Sequence, residues 1–391
     1  MSSIVRATLT AAAVVCTAVQ ADALSHTAQA QQGETAAFVV TIGSDTLAVE
    51  KFTRTPDRIT GEMVSRSPST VTRTYEAWLN PDGTVQRLEM TTEQPGTQLP
   101  PAVSSAQFTA DSVFTHVQRG DSAYDFRVAA AHAFPLVGFS HVFYEQAMMH
   151  ARGLRADSVG LMLAPIGANE VYPMAVHAVG ADSMRLANFS GAQHVATDAR
   201  GRLLGLNGME STQKFIVTRL ADVDVDAFAA EFARRDAAHQ GMGALSPRDS
   251  AVADVGGAHL SVDYGRPFKR GRVIFGNVVP WGEVWRTGAN AATGFTTSRD
   301  VQIGGTTVPA GRYTLWSLPT QQGWKLIINR QTGQWGTEYD AAQDQARIDM
   351  QTRKLAAPVE AFTIKLDPAA GGGVLRLQWD DVEAFVPVVV R

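Results

Sequence analysis

Apolar and polar residues alternate along most of the chain, and short turn signals punctuate the alternation. "FVVTIGSDTLAVEKFTRT" (38–55) is two such runs meeting at Gly43-Ser44-Asp45, which predicts a hairpin. "RTYEAWLNPDGTVQRLEMTT" (73–92) repeats the device around Pro81-Asp82-Gly83, and "AQHVATDARGRLLGLNGM" (192–209) repeats it between Asp198 and Gly201. Two stretches change to helical spacing. "SHVFYEQAMMHARG" (140–153) predicts a helix with Ser140 as N-cap, Gly153 as the stop, and Val142, Phe143, Ala147 and Met149 turned to the core. A second helix starts near Asp224 or Asp226 and ends at Gly241, with Phe228, Phe232 and Ala233 on one stripe.

"GMGALSPRDS" (241–250) breaks both periods and reads as a linker. Beyond it the alternation returns without helices: a hairpin at Gly256-Gly257, another at Gly304-Gly305, and then "GWKLIINR", "AFTIKL" and "VLRLQWDDVEAFVPVVV". Eight or nine short strands at this spacing predict a sandwich or barrel. The expected class is therefore mainly β. Residues 31–240 form a β-rich meander or half-barrel with one or two helices, and residues 251–391 form an all-β, sandwich-like domain.

The first 30 residues change the picture of where the protein works. Arg6, the apolar run "ATLTAAAVVCTAV" (7–19) and small-residue sites ending at Ala21 and Ala30 predict an export signal, with cleavage after Ala30 preferred. The run is too short to span a bilayer, which takes about 20 apolar residues. No later stretch is long enough either, so the expected mature chain is exported and has no transmembrane segment. Cys16, the chain's one cysteine, falls inside this signal, which excludes disulfide, thiolate and cysteine-cluster chemistry from the mature protein. A net charge of -4 argues against nucleic acid as a partner.

The segments "YGRPFKRGRVIFG", "VVPWGEVWRTGANAAT", "VPAGRYTLWSLP", "WKLIINR", "QWG" and "LRLQWDD" occur in this order across about residues 250–391. In these, the second region resembles the bacterial domain-of-unknown-function 2911 family. The resemblance implies a compact exported all-β domain and no particular reaction. The long N-terminal meander is similar in outline to periplasmic lipid-carrier-like half-barrels, a likeness of architecture that brings no ligand with it.

Candidate chemistry concentrates in residues 264–293. Arg266, Lys269, Arg270 and Arg272 place four cations within seven residues, followed by Trp281, Trp285, Arg286 and Asn290. Guanidinium forks match carboxylate or phosphate, and aromatic faces suit sugar rings. Arg266, Lys269, Arg272, Trp285, Arg286 and Asn290 are therefore the candidate ligand-binding residues. The competing reading makes the tryptophans core and has Arg286 satisfy a buried carboxylate or carbonyls at a tight corner.

Elsewhere, His141, Glu145 and His150 share a helix, but the two histidines face opposite ways and the HExxH spacing is absent, so no metal is expected. Asp340 and Asp344 could pair for acid–base work. No phosphate loop or dinucleotide fingerprint appears, so no cofactor is expected, and no catalytic residue is assigned. The expectation is a non-enzymatic envelope protein binding a small molecule, a saccharide or another envelope protein. The alternative is a hydrolase acting on a saccharide or ester.

Overall fold

The alternating runs become two antiparallel sheets in the computed structural model, which describes residues 33–369 and 371–390. The expected export signal, with Cys16 and both cleavage positions, lies outside the described residues. Among the described residues, no helix is long and apolar enough to cross a membrane.

The first sheet has fifteen strands, from β1 (Glu34–Ile42) to β15 (Ile216–Leu220). It runs outward from the β1–β15 pair in two directions. One arm ends at β8 (Ser122–Ala129) and the other at β9 (Ala133–Leu136). All three hairpins expected here form. One pairing was not foreseen: β9 and β10 (Ser158–Pro165) run parallel, with α1 (Val142–Gly153) as the crossover between them. The terminal strands β8 and β9 do not pair, so the curved sheet stays open along one seam.

Helix α1 lies in the concave face. Val142, Phe143, Ala147 and Met148 join the same core as Phe38, Phe52, Met63 and Leu88. Met148, not Met149, is the buried methionine, because Met149 falls on the half-exposed side. The cap also differs from expectation. His141 occupies the N-cap without a side-chain bond. The first N–H groups are instead satisfied from the sheet: Glu50 accepts from His141 N at 2.7 Å and Val142 N at 3.2 Å. Ser140 Oγ donates to the same carboxylate at 2.5 Å and Tyr75 Oη at 2.8 Å. A negative charge at a helix N-terminus complements both the orphan donors and the dipole. Helix α2 (Val225–Ala237) packs on the convex side, Val225 and Phe232 against Val49 and Val64, with Asp224 capping it through Ala227 N at 2.9 Å.

The second sheet has nine strands, from β16 (Arg248–Val255) to β24 (Gly372–Val390). Strand β23 (Asp344–Ala369) joins its two layers, pairing first with β22 (Gly323–Asn329) and then with β24. Bulges between Lys354 and Thr363 turn the strand at the corner. Strand β16 packs back across β23 and β24 and closes the sandwich-like core. In β21 (Gly311–Thr320) the expected alternation gives way to burial on both faces. Tyr313 and Leu315 enter the main core, while Trp316 packs with Ile327 and Ala292 on the other side.

The stretch 241–250 is not wholly irregular, since β16 already begins at Arg248. Met242 and Leu245 pack against the N-terminal core. The sheets also touch at the turn between β1 and β2 (Asp45–Arg54). Ser44 N donates to Arg270 O at 3.0 Å, and Arg270 Nη1 meets Asp45 at 2.8 Å. Gly43 has φ +59, and a Cβ there would fall 1.9 Å from Arg270 O, so only glycine permits this approach.

Candidate functional site

The cation-rich stretch 264–293 is largely occupied with holding its own domain together. Arg266 donates from Nε to Phe362 O (3.2 Å) and from Nη2 to Thr363 Oγ1 (3.1 Å), and its Nη1 lies 3.3 Å from Asp249. Lys269 pairs with Asp380 at 2.5 Å. Arg272 donates to the carbonyls of Lys269 (3.0 Å) and Phe268 (2.5 Å). Trp285 packs into the core, its ring 4.9 Å from Phe362 and stacked 5.8 Å from Trp379, while its backbone exchanges hydrogen bonds with Ser317. Asn290 is exposed at φ +63, a left-handed position that asparagine tolerates, and its Nδ2 reaches Ser246 O at 3.4 Å.

Of the two partners expected for Arg286, a carboxylate or carbonyls, the structure gives a carbonyl. Arg286 Nε donates to Gly288 O at 3.4 Å, and it makes no ion pair among the described residues. Its stem lies so close over Gly336 that a Cβ there would fall 2.3 Å from Arg286 Cδ. Burial lowers its pKa below the usual arginine value. Lys214, in the loop just before β15, has its pKa lowered by burial first and by the charges of Arg286 and Arg272 next. Like charges therefore face one another across the junction of the two sheets. The candidate acids are also committed. Asp340 accepts from Ala342 N at 2.9 Å, and Asp344 accepts from Asn329 Nδ2 at 2.9 Å and Tyr339 Oη at 2.7 Å. The shared-helix residues do not converge either: Glu145 is held by Arg54 and Arg219, while His150 Nδ1 meets Asp82 O at 2.8 Å.

The open seam holds a site the sequence reading missed. A cavity of about 360 Å³ lies between the β8 arm and the segment after β9. Its floor is built from two cross-strand rows. One runs Arg73–Thr92–Ala102–Arg119, and the next runs Met90–Ser104–Val117–Tyr124. Leu136, Val137 and Ile166 face them from the far side of the seam. Tyr75, next to Arg73 on the same face, packs 5.3 Å from Phe143 of α1 and so separates the cavity from the Glu50 network.

Within this cavity Arg73 stands without a partner. Its Nη1 is buried and makes no hydrogen bond, and burial lowers its pKa below the usual value. Leaving such a group unpaired costs on the order of 1–3 kcal/mol, more when it is charged. Arg119, nearer the rim, is held by Pro100 O at 3.2 Å. The sequence carried one signal of this: Arg73 takes an inward register between Val71 and Tyr75, where an apolar residue is the norm.

Among known proteins, no curated protein matches the chain. Two solved structures resemble part of it. One is a DUF1089 family protein from Pseudomonas aeruginosa: 13% identity, 41% of this chain and 90% of that one, TM-score 0.33. The other is a β-barrel-like DUF1849 protein from Brucella abortus: 8% identity, 48% and 95% covered, TM-score 0.33. At these values the likenesses carry no argument about function. Residues 246–388 match the model of the protein family of unknown function DUF2911, and the region before them matches no family model. The C-terminal sheet, from β16 almost to the end of β24, is the part of the chain that is similar to this family.

Proposed function

We propose that this is an exported, non-enzymatic binding protein whose ligand occupies the seam cavity of the N-terminal sheet. Export rests on the leader-like first 30 residues. The observation that carries the binding reading is a cavity of about 360 Å³ lined by both apolar and polar side chains, with an unpaired guanidinium among them. Its size falls within the range of small-molecule sites, about 300–1,000 Å³, which are apolar with a few placed polar groups. The cation-rich corner of the C-terminal sheet supports this assignment by contrast, since most of its cations already have protein partners.

Titration of the mature chain with a neutral naphthylamine dye tests the reading. One dye per chain is expected, with binding abolished in Ser104→Trp, which fills the cavity floor without touching the domain junction. Equal dye binding by a folded Ser104→Trp protein, or none by the wild type, contradicts it.

A further inference from the structure

Resting on that reading, we infer that the ligand is a monocarboxylate with an apolar tail, its carboxylate seated against Arg73 and its tail lying along the seam toward Tyr124 and Leu136. Three observations converge. First, two cations line the floor, and of these Arg73 has no hydrogen-bond partner among the described residues while Arg119 is held by Pro100 O. Arg73 is a buried donor with nothing to donate to, whereas the other buried arginines of this sheet face carboxylates: Arg54 meets Glu145 at 2.5 Å and Arg66 meets Asp45 at 3.3 Å. A guanidinium fork presents paired donors that match one carboxylate.

Second, Thr92 and Ser104 flank Arg73 in adjacent strands and line the same cavity. Neither hydroxyl makes a hydrogen bond to another described residue. They complete a small polar floor that suits one anionic head and leaves no acidic group to repel it.

Third, the remaining walls are Met90, Val117, Phe126, Leu136 and Ile166. A hydrated inorganic ion would strand this apolar surface, while an alkyl or aryl tail buries it at roughly 25 cal/mol per Å². The seam supplies the way in. Strand β8 is an unpaired edge, and Tyr124 on it is 59% exposed at the mouth. A tail can enter between the two arms without breaking a strand pair.

The test is competition of sodium decanoate and decanol against the neutral naphthylamine dye at neutral pH, on the mature chain. Wild type is expected to prefer decanoate by about tenfold or more, the equivalent of one charge-assisted hydrogen bond at 1.4 kcal/mol per decade. Arg73→Gln should abolish the preference, each competitor being referred to that variant's own measured dye affinity. Arg73→Lys should keep part of it, and Arg119→Gln should keep nearly all. Because Arg73 lacks a partner, Arg73→Gln should melt at or above the wild-type temperature, so loss of preference cannot be put down to unfolding. Equal competition by decanol, or a preference that survives Arg73→Gln but not Arg119→Gln, overturns the inference while dye binding leaves the cavity reading standing. Failure of the wild type to bind the dye removes both.

Discussion

Three donors converge on the carboxylate of Glu145, which is 0% exposed: Arg54 Nη1 and Arg219 Nη1 at 2.5 Å each, and Leu203 N at 2.8 Å. A buried carboxylate of this kind was one of the two partners expected for Arg286, which meets a carbonyl instead. Removing Arg54 leaves Glu145 with Arg219 and Leu203 N, so the loss falls short of a fully broken buried pair and amounts to one charge-assisted hydrogen bond, about 1.5–3 kcal/mol. Arg54→Ala should therefore destabilise by that amount. Arg286→Ala, which breaks one long hydrogen bond and no ion pair, should change stability by less than about 1 kcal/mol. Denaturant midpoints for the two variants settle the comparison, and an Arg286→Ala loss as large as that of Arg54→Ala would contradict it. His141 gives a pH signature. Burial pushes its pKa down to about 4 from 6.5, so between those values the folded chain binds fewer protons than the unfolded one. The stability carried by the neutral ring is complete above pH 6.5 and is lost as pH falls toward 4, by at most about 1.4 kcal/mol per pH unit. Glu50, raised by burial, acts in the opposite sense and is common to both proteins in a comparison with His141→Gln. That variant should lose less stability than wild type between pH 7 and pH 5; parallel losses would show that His141 does not titrate there.

At the scale of elements, turn chemistry made the hairpins legible. Gly43-Ser44-Asp45, Pro81-Asp82-Gly83, Gly256-Gly257 and Gly304-Gly305 each connect the strand pairs expected of them. What depends on residues far apart in sequence was not legible. The carboxylate capping α1 comes from Glu50 in β2 (Asp45–Arg54), and the parallel β9–β10 pair depends on how α1 seats itself in the concave face. The candidate site shows the same division. The cluster at 264–293 stood out by composition, yet composition does not reveal which cations already have partners, whereas Arg73 stood out by register alone. The β1–β2 turn has a role of its own. Its glycine lies against Arg270 O, and Asp45 bridges Arg66 and Arg270. Gly43→Val adds a branched side chain where neither φ nor space allows one. It should part the sheets at this contact without unfolding either, and should speed proteolysis within 241–247. Cleavage at the wild-type rate would show that the turn does not hold the junction.

For the whole molecule, a C-terminal sheet that matches the DUF2911 family joins an N-terminal sheet that is open along one seam. The seam cavity and the unpartnered Arg73 both lie in the N-terminal sheet, which is why the proposed binding site is placed there. Photo-crosslinking of residues 31–391 with a diazirine-bearing decanoate, mapped by peptide mass, tests this most directly. Label is predicted on peptides spanning 85–126 and 134–138, at about one per chain, competed by unlabelled decanoate and lost in Ser104→Trp. Label confined to peptides spanning 264–293, around Trp285, Arg286 and Asn290, would contradict the account and place the site in the C-terminal sheet.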